Sequence, residues 1–120
     1  VRSVLNEDYI LDWKKDLKTG DLCPEGGQLR PHIVWFGEAV PMMEEAVEWC
    51  MQADALFIIG TSMQVYPAAS LMHYTKANIP IYFIDPKPNI ESAGNIKVYP
   101  HTATKGVPLA IADFKKHFNL

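Results

Sequence analysis

The sequence predicts an α/β fold: a Rossmann-like parallel sheet with flanking helices, preceded by a short irregular segment. Two observations carry that prediction. Short runs rich in β-branched and aromatic residues, "HIVWF" (32–36), "ALFII" (55–59), "IPIYFI" (79–84) and "IKVY" (96–99), alternate with stretches of helical spacing. That order builds βαβ crossovers and therefore a parallel sheet. In addition, "ALFII" is apolar throughout and does not alternate, as suits a parallel strand covered on both faces. With 120 residues, 48% of them hydrophobic, the chain has enough apolar material for the core of one domain.

The elements follow in order. Residues 1–31 are polar and mixed, and "KTGDLCPEGGQ" (18–28) is dense in turn formers. Within this first region Tyr9, Ile10 and Trp13 fall at helical spacing and predict a short helix over 7–15. The second region, 32–120, carries the sheet. "HIVWF", halted by Gly37, predicts the first strand. Pro41 suits the first turn of a helix whose apolar stripe is Met43, Ala46, Val47 and Cys50. "ALFII" is the second strand. Pro67 opens a second helix that turns Ala68, Leu71, Met72 and Thr75 inward and ends near Asn78. The third strand starts just after Pro80, which has no N–H for a ladder, and stops at "DPKP". "IKVY" is a short fourth strand. Pro108 begins the last helix, with Val107, Ile111, Phe114 and Phe118 on its inner face.

A net charge of −3 and a pI near 5.7 argue against nucleic acid or an anionic membrane as the main partner. No apolar stretch approaches the roughly 20 residues of a membrane span, and no signal-peptide pattern opens the chain. Cys23 and Cys50 are too few for a disulfide framework, which predicts a reducing, cytoplasmic setting. The chain begins at Val1 with no initiator Met, which predicts a piece of a longer protein.

In an open parallel sheet, ligands bind beyond the carboxyl ends of the strands. That rule selects Gly37-Glu38, Gly60-Thr61-Ser62, Asp85-Pro86-Lys87 and the loop from Pro100 to Lys105. The first three bring a close-approach glycine, two hydroxyls and a carboxylate to one rim. Hydroxyls and backbone N–H groups at a helix entrance can hold phosphate or ribose, and a carboxylate can accept a ribose hydroxyl. The G-x-G-x-x-G dinucleotide fingerprint is absent. Either another part of the protein supplies the phosphate loop, or the ligand is something else.

Three segments, "LRPHIVWFGEAVP" (29–41), "ADALFIIGTSMQVYPAASL" (53–71) and "IPIYFIDPKPN" (79–89), in this order and spacing, resemble the C-terminal half of a sirtuin, an NAD-dependent protein-lysine deacylase. The resemblance covers about residues 29–119. It implies that Gly60, Thr61 and Ser62 border NAD, with Asp85, Pro86 and Lys87 at the next strand end and Ala103 against adenine. Asp85 stands where the family usually has Asn, which keeps an acceptor, loses an amide donor and adds charge near phosphates. Gln64, Val65 and Tyr66 resemble the loop that pairs with the substrate backbone, and Val34, Phe36, Gly37 and Glu38 are similar to the loop on its other side. A peptide held between two such edges is bound by β-augmentation, with Val34, Phe36 and Val65 lining the path of the acyl-lysine stem.

By the same resemblance, an intact enzyme also needs a Gly-Ala-Gly phosphate loop, a Gln-Asn-x-Asp segment and a His-Gly pair bearing the catalytic base. None is in these 120 residues. His32, His73, His101 and His117 do not match the catalytic position, so no catalytic residue is expected here. The family's structural zinc uses two Cys-x-x-C pairs, and tetrahedral zinc needs four ligands. Only Cys23 lies in that region, so residues 1–31 are expected to be a reduced, metal-free remnant of the zinc-type module, as in bacterial-type members lacking the cysteine pairs. Residues 32–120 would then be the C-terminal part of the NAD-binding domain.

The resemblance therefore implies a part of a deacylase that uses NAD, takes an acyl-lysine peptide or protein, and supplies part of the cofactor cleft and the peptide channel without the base. The alternative is a non-catalytic nucleotide-binding α/β module. Self-association of the truncated chain is also expected, because half a doubly wound sheet leaves an edge or face unpartnered.

Overall fold

A computed structural model describes residues 1–120. The chain forms two compact units, Val1–Ala39 and Val40–Leu120.

The first unit is built on two short antiparallel strands, β1 (Arg2–Ser3) and β2 (Leu29–Arg30), with Arg2 opposite Arg30 and Ser3 opposite Leu29. Ser3, Cys23 and Leu29 are its buried centre. Gly27 packs against it so closely that a Cβ would lie 2.5 Å from Ser3 Oγ and 2.9 Å from Leu5 Cγ. The helix expected over 7–15 does not form. The Ser3 N–H donates to Tyr9 O (3.1 Å), the Leu11 N–H donates to Val1 O (2.9 Å), and Ile10 bridges Arg2. Pairing with the β1 region claims the backbone groups that a helix would use, and it overrides a weak local preference.

The strand expected over 32–36 does not form either; these residues run through bends and a turn. A strand exists only where another strand takes its hydrogen bonds, and here the backbone bonds are local. Ile33 N–H donates to Pro31 O, and Glu38 N–H donates to Trp35 O. The apolar side chains of the run are therefore exposed.

The second unit contains a three-stranded parallel sheet, β3 (Leu56–Ile59), β4 (Ile81–Ile84) and β5 (Ile96–Tyr99), in the order β3-β4-β5. Leu56 pairs with Ile81, which pairs with Ile96, and the register runs to Ile59, Ile84 and Tyr99. All four residues of the central strand are buried. Ile81 and Phe83 point into one layer with Ile58 and Ile79, against which Met63 and Met72 pack. Tyr82 and Ile84 point into the other with Ala110, Phe57, Tyr99 and Phe114. Period-two alternation thus sends β4 into two cores at once. Phe57 stacks on Tyr82 with ring centroids 4.6 Å apart, and Phe114 meets both rings edge-on.

Helix α1 (Met43–Gln52) buries Cys50 and half-buries Met43, Ala46 and Val47, the expected stripe, although it starts two residues after Pro41. The helix expected after Pro67 is a 3₁₀ helix over Ala68–Tyr74, with Ala69 buried and Ala68 exposed. With three residues per turn its inner face is spaced differently from an α-helix. Helix α2 (Ala103–Phe118) begins five residues before Pro108, which lies inside it. Pro108 is on the exposed side, where the Thr104 carbonyl left without its i+4 donor can face water. The buried positions are Gly106 and Ala110, with Phe114 half-buried, whereas Ile111 and Phe118 are exposed. The stripe is rotated because Gly106 touches Ile84 so closely that a Cβ would overlap the Ile84 Cγ2 methyl. No helix is long and apolar enough to cross a membrane.

Candidate functional site

The strands of the second unit are parallel and in register, so their carboxyl ends form one rim. Gly60 follows β3 and Asp85 follows β4. The Gly60 N–H donates to Ile84 O at 2.8 Å and the Asp85 N–H donates to Tyr99 O at 3.3 Å, which ties the three strand ends together. Gly60 takes φ +65° and has open space where a Cβ would point, so the turn needs glycine and leaves the backbone accessible. Thr61 and Ser62 are exposed. Thr61 Oγ1 accepts the Met63 N–H (3.2 Å) and remains free to donate its own proton. Asp85 Oδ1 accepts the Lys87 N–H at 2.7 Å, shaping the Asp-Pro-Lys turn. Ala103 opens α2 four residues beyond the end of β5. The Pro100–Lys105 stretch expected as a loop is thus a strand end running into a helix entrance, where the first N–H groups lack intrahelical partners.

The structure therefore brings Gly60, Thr61, Ser62, Asp85, Pro86 and Lys87 to one rim, with Ala103 at the start of α2, four residues past the third strand. Asn89 also belongs here: its Nδ2 donates to Ser62 O at 2.7 Å, pinning the hydroxyl turn to the Asp85 loop. Its place in "DPKPN" was visible, but a bond 27 residues away in sequence had no local signal. Hydroxyl donors, a carboxylate with an oxygen to spare and open backbone fit a ribose and part of a phosphate chain. Gln64, Val65 and Tyr66 follow, all exposed. Val65, Thr61, Met63, Ile59, Cys50 and Met72 share a largely apolar cavity of about 300 Å³.

The expected rim position of Gly37 and Glu38 fails on its premise, since no strand precedes them. They lie in the first unit, in a loop with exposed Val34 and Phe36; Phe36 is 90% exposed. Both Glu38 carboxylate oxygens accept from Arg30, through Nη1 and, at 3.0 Å, Nη2; Oε2 also accepts the Trp35 N–H at 2.9 Å. The Arg30 hydrogen bond, followed by that of the Trp35 amide, holds the Glu38 carboxyl below its ordinary value. Sequence reasoning missed Arg30 because the pair joins the end of β2 to a loop residue eight positions on, a spacing that no regular element pairs.

At the centre of the first unit, Ser3 Oγ donates to Cys23 Sγ at 3.2 Å. That bond, helped by backbone groups of Gly27 and Glu25 and opposed by burial, lowers the Cys23 thiol pKa. No cluster of three or more His, Cys, Asp or Glu side chains is placed to hold a metal ion.

The Sir2 family profile matches residues 3–67, just over half of the chain. An NAD-dependent protein deacylase of Helicobacter pylori is 54% identical over 87 residues, 72% of this chain and 38% of that protein. One from Bacteroides thetaiotaomicron is 46% identical over 110 residues, 88% of this chain and 47% of its own length. The chain thus spans less than half the length of these relatives. Among solved structures, a Sir2 enzyme superposes with a TM-score of 0.65 at 27% identity, covering 79% of this chain and 40% of that one. A Sir2 complex with a p53 peptide and NAD+ superposes with a TM-score of 0.63 at 24% identity over 77% of this chain and 40% of that one, a likeness of fold. With its parallel sheet, its hydroxyl-bearing strand end and this profile match, the chain belongs to the Sir2 family.

Proposed function

We propose that this chain is part of an NAD-dependent protein-lysine deacylase, which transfers the acyl group from lysine to ADP-ribose and releases nicotinamide. The observation that carries the reading is the side-by-side placement of Gly60–Ser62 and Asp85–Lys87 at the ends of two paired strands in a Sir2-family chain. When bound, NAD supplies the ADP-ribose acceptor and the nicotinamide leaving group. Gly60 lets backbone approach the cofactor, Thr61 and Ser62 offer hydroxyls, and Asp85 accepts a ribose hydroxyl. Pro86 shapes the turn, Lys87 places positive charge beside the phosphates, and Ala103 leaves room for the adenine. Within the first unit, Val34, Phe36, Gly37 and Glu38 are assigned to recognition of an acyl-lysine peptide, and within the second unit Gln64, Val65 and Tyr66 are assigned that role, largely through backbone.

No residue of this chain is assigned as the general base. Residues 1–31 serve as a metal-free remnant of the zinc-type module, a reading supported by the Ser3–Cys23 hydrogen bond at its centre; residues 32–120 serve as the C-terminal part of the NAD-binding domain. The setting is the cytoplasm, and neither nucleic acid nor membrane is a partner. The outer edges of β3 and β5 are unpaired in the sheet, which supports self-association of the 120 residues alone. Light scattering that finds a strict monomer at high concentration would refute that part.

Adding an acylated peptide and NAD to the full-length protein that carries these residues is expected to release nicotinamide. No release with any acyl-lysine tested would defeat the reading. The 120 residues alone are expected to bind NAD negligibly by calorimetry; tight binding of NAD or ADP-ribose there would favour a non-catalytic nucleotide-binding module.

A further inference from the structure

Residues 33–36 of the first unit pose a physical problem. Ile33, Val34 and Trp35 are about half exposed and Phe36 almost fully so, yet no strand pairing holds the segment. A free apolar loop would fold onto itself to remove that surface from water. What holds it open is a ring of charge-assisted bonds on its polar side. Arg30, fixed at the end of β2, grips both carboxylate oxygens of Glu38 and also donates Nη2 to Ile33 O at 3.2 Å. Glu38 Oε2 in turn accepts the Trp35 N–H at 2.9 Å. The Arg30 guanidinium carbon lies 5.9 Å from the Trp35 ring centroid, and Arg2 Nη2 stands 3.7 Å from Glu38 Oε2. Gly37 at φ +86° permits the turn that returns the chain to Glu38.

We propose that Arg30 is a positioning residue which, through its two-pronged pair with Glu38, presents the Val34–Phe36 ridge in the shape that receives the substrate peptide. This rests on the function proposed above and divides the role of Glu38 there: its carboxylate is taken up by Arg30 and the Trp35 N–H and anchors the ridge, which leaves only its backbone for the peptide. The planar fork of arginine matches a carboxylate and still reaches a carbonyl; a lysine ammonium would be a point charge with no such geometry.

Two readouts test the two layers separately. The first is exchange of the Trp35 amide hydrogen, which belongs to a half-exposed residue and donates to Glu38 Oε2. In the 120-residue chain, Arg30→Met and Glu38→Gln should each speed that exchange by about tenfold or more, given the strength of charge-assisted bonds; Arg30→Lys should fall between. The Ser3 amide, bonded to Tyr9 O, should stay protected and so shows that the unit is still folded. The second is peptide affinity in the full-length protein, where the same variants should raise KM about tenfold while kcat at saturation holds. The swap Arg30→Glu with Glu38→Arg should recover part of the loss. Unchanged Trp35 exchange in Glu38→Gln would overturn the proposal at its root. Faster exchange with unchanged KM would overturn the positioning role alone, and a wild-type protein that binds no acyl-peptide while exchange responds as expected would overturn the functional reading beneath it.

Discussion

Gly106→Ala sets two opposing effects against each other, and the structure decides between them. In an exposed helix interior, replacing Gly with Ala stabilises by roughly 0.8–1 kcal/mol because the unfolded chain loses freedom. Gly106, however, is buried on the inner face of α2. Its missing Cβ would overlap Ile84 Cγ2 and lie 3.4 Å from His101 Cβ. The Ile84 methyl cannot swing aside: the residue is 1% exposed, in the central strand, and packed with Tyr82 and Ala110. Forcing a methyl into such a core costs about 1–3 kcal/mol. The net expectation is a destabilisation of about 1 kcal/mol, a fall in Tm of about 4 °C for a domain this size. Urea unfolding at constant m measures it. Ile84→Leu, which removes the β-branch, should recover about 1 kcal/mol in a double-mutant cycle. If Gly106→Ala stabilises the chain, or if the cycle shows no coupling, the account of why α2 is rotated by one position relative to its apolar sequence pattern is wrong.

Other outcomes follow from the same geometry. The Tyr82 hydroxyl is fully buried and has no partner, so Tyr82→Phe should stabilise by about 1 kcal/mol while keeping the Phe57 stack; chemical denaturation that shows a loss of that size would mean the hydroxyl is satisfied in solution. The Glu38 and Asp113 carboxyls are held low, the first by Arg30 and the second by the Tyr99 hydroxyl, which donates to Asp113 Oδ2 at 2.6 Å. A depressed carboxyl contributes stability above its unfolded value and loses it as pH falls through the folded value. Melting temperature should therefore drop below about pH 4.5 for Glu38 and below about pH 3.8 for Asp113, the ordinary values. Glu38→Gln should flatten the upper part of that fall, and an unchanged profile would count against the pair. In the full-length protein, Asp85→Asn keeps an acceptor for the ribose hydroxyl and should tighten NAD binding about fivefold by removing a like charge near the phosphates; weaker binding would show that charge repulsion does not govern this position.

The clearest contrast between sequence and structure lies in two apolar runs of the same kind. "ALFII" and "HIVWF" both carry the composition of a strand. The first becomes β3 because "IYFI" lies beside it and accepts its register residue by residue; the second has no such neighbour and is shaped instead by Arg30 and Glu38. Composition records how a residue would fit a sheet, and it carries no record of whether a neighbouring strand is present.

By itself the sequence determined the parallel direction of β3, β4 and β5, the stripe of α1 and the strand ends at Gly60-Thr61-Ser62 and Asp85, because each depends on local apolar runs and on the strand-end rule. Only the tertiary structure decided the path of residues 7–15, the inner face of α2 and the anchoring of the 33–36 ridge. Each of these is set by a contact between residues the local pattern does not pair: Ser3 with Tyr9, Gly106 with Ile84, Arg30 with Glu38. Propensity acts over one or two turns of chain, whereas close packing and charge-assisted bonds act wherever the backbone brings two groups together, and where they conflict the contact prevails.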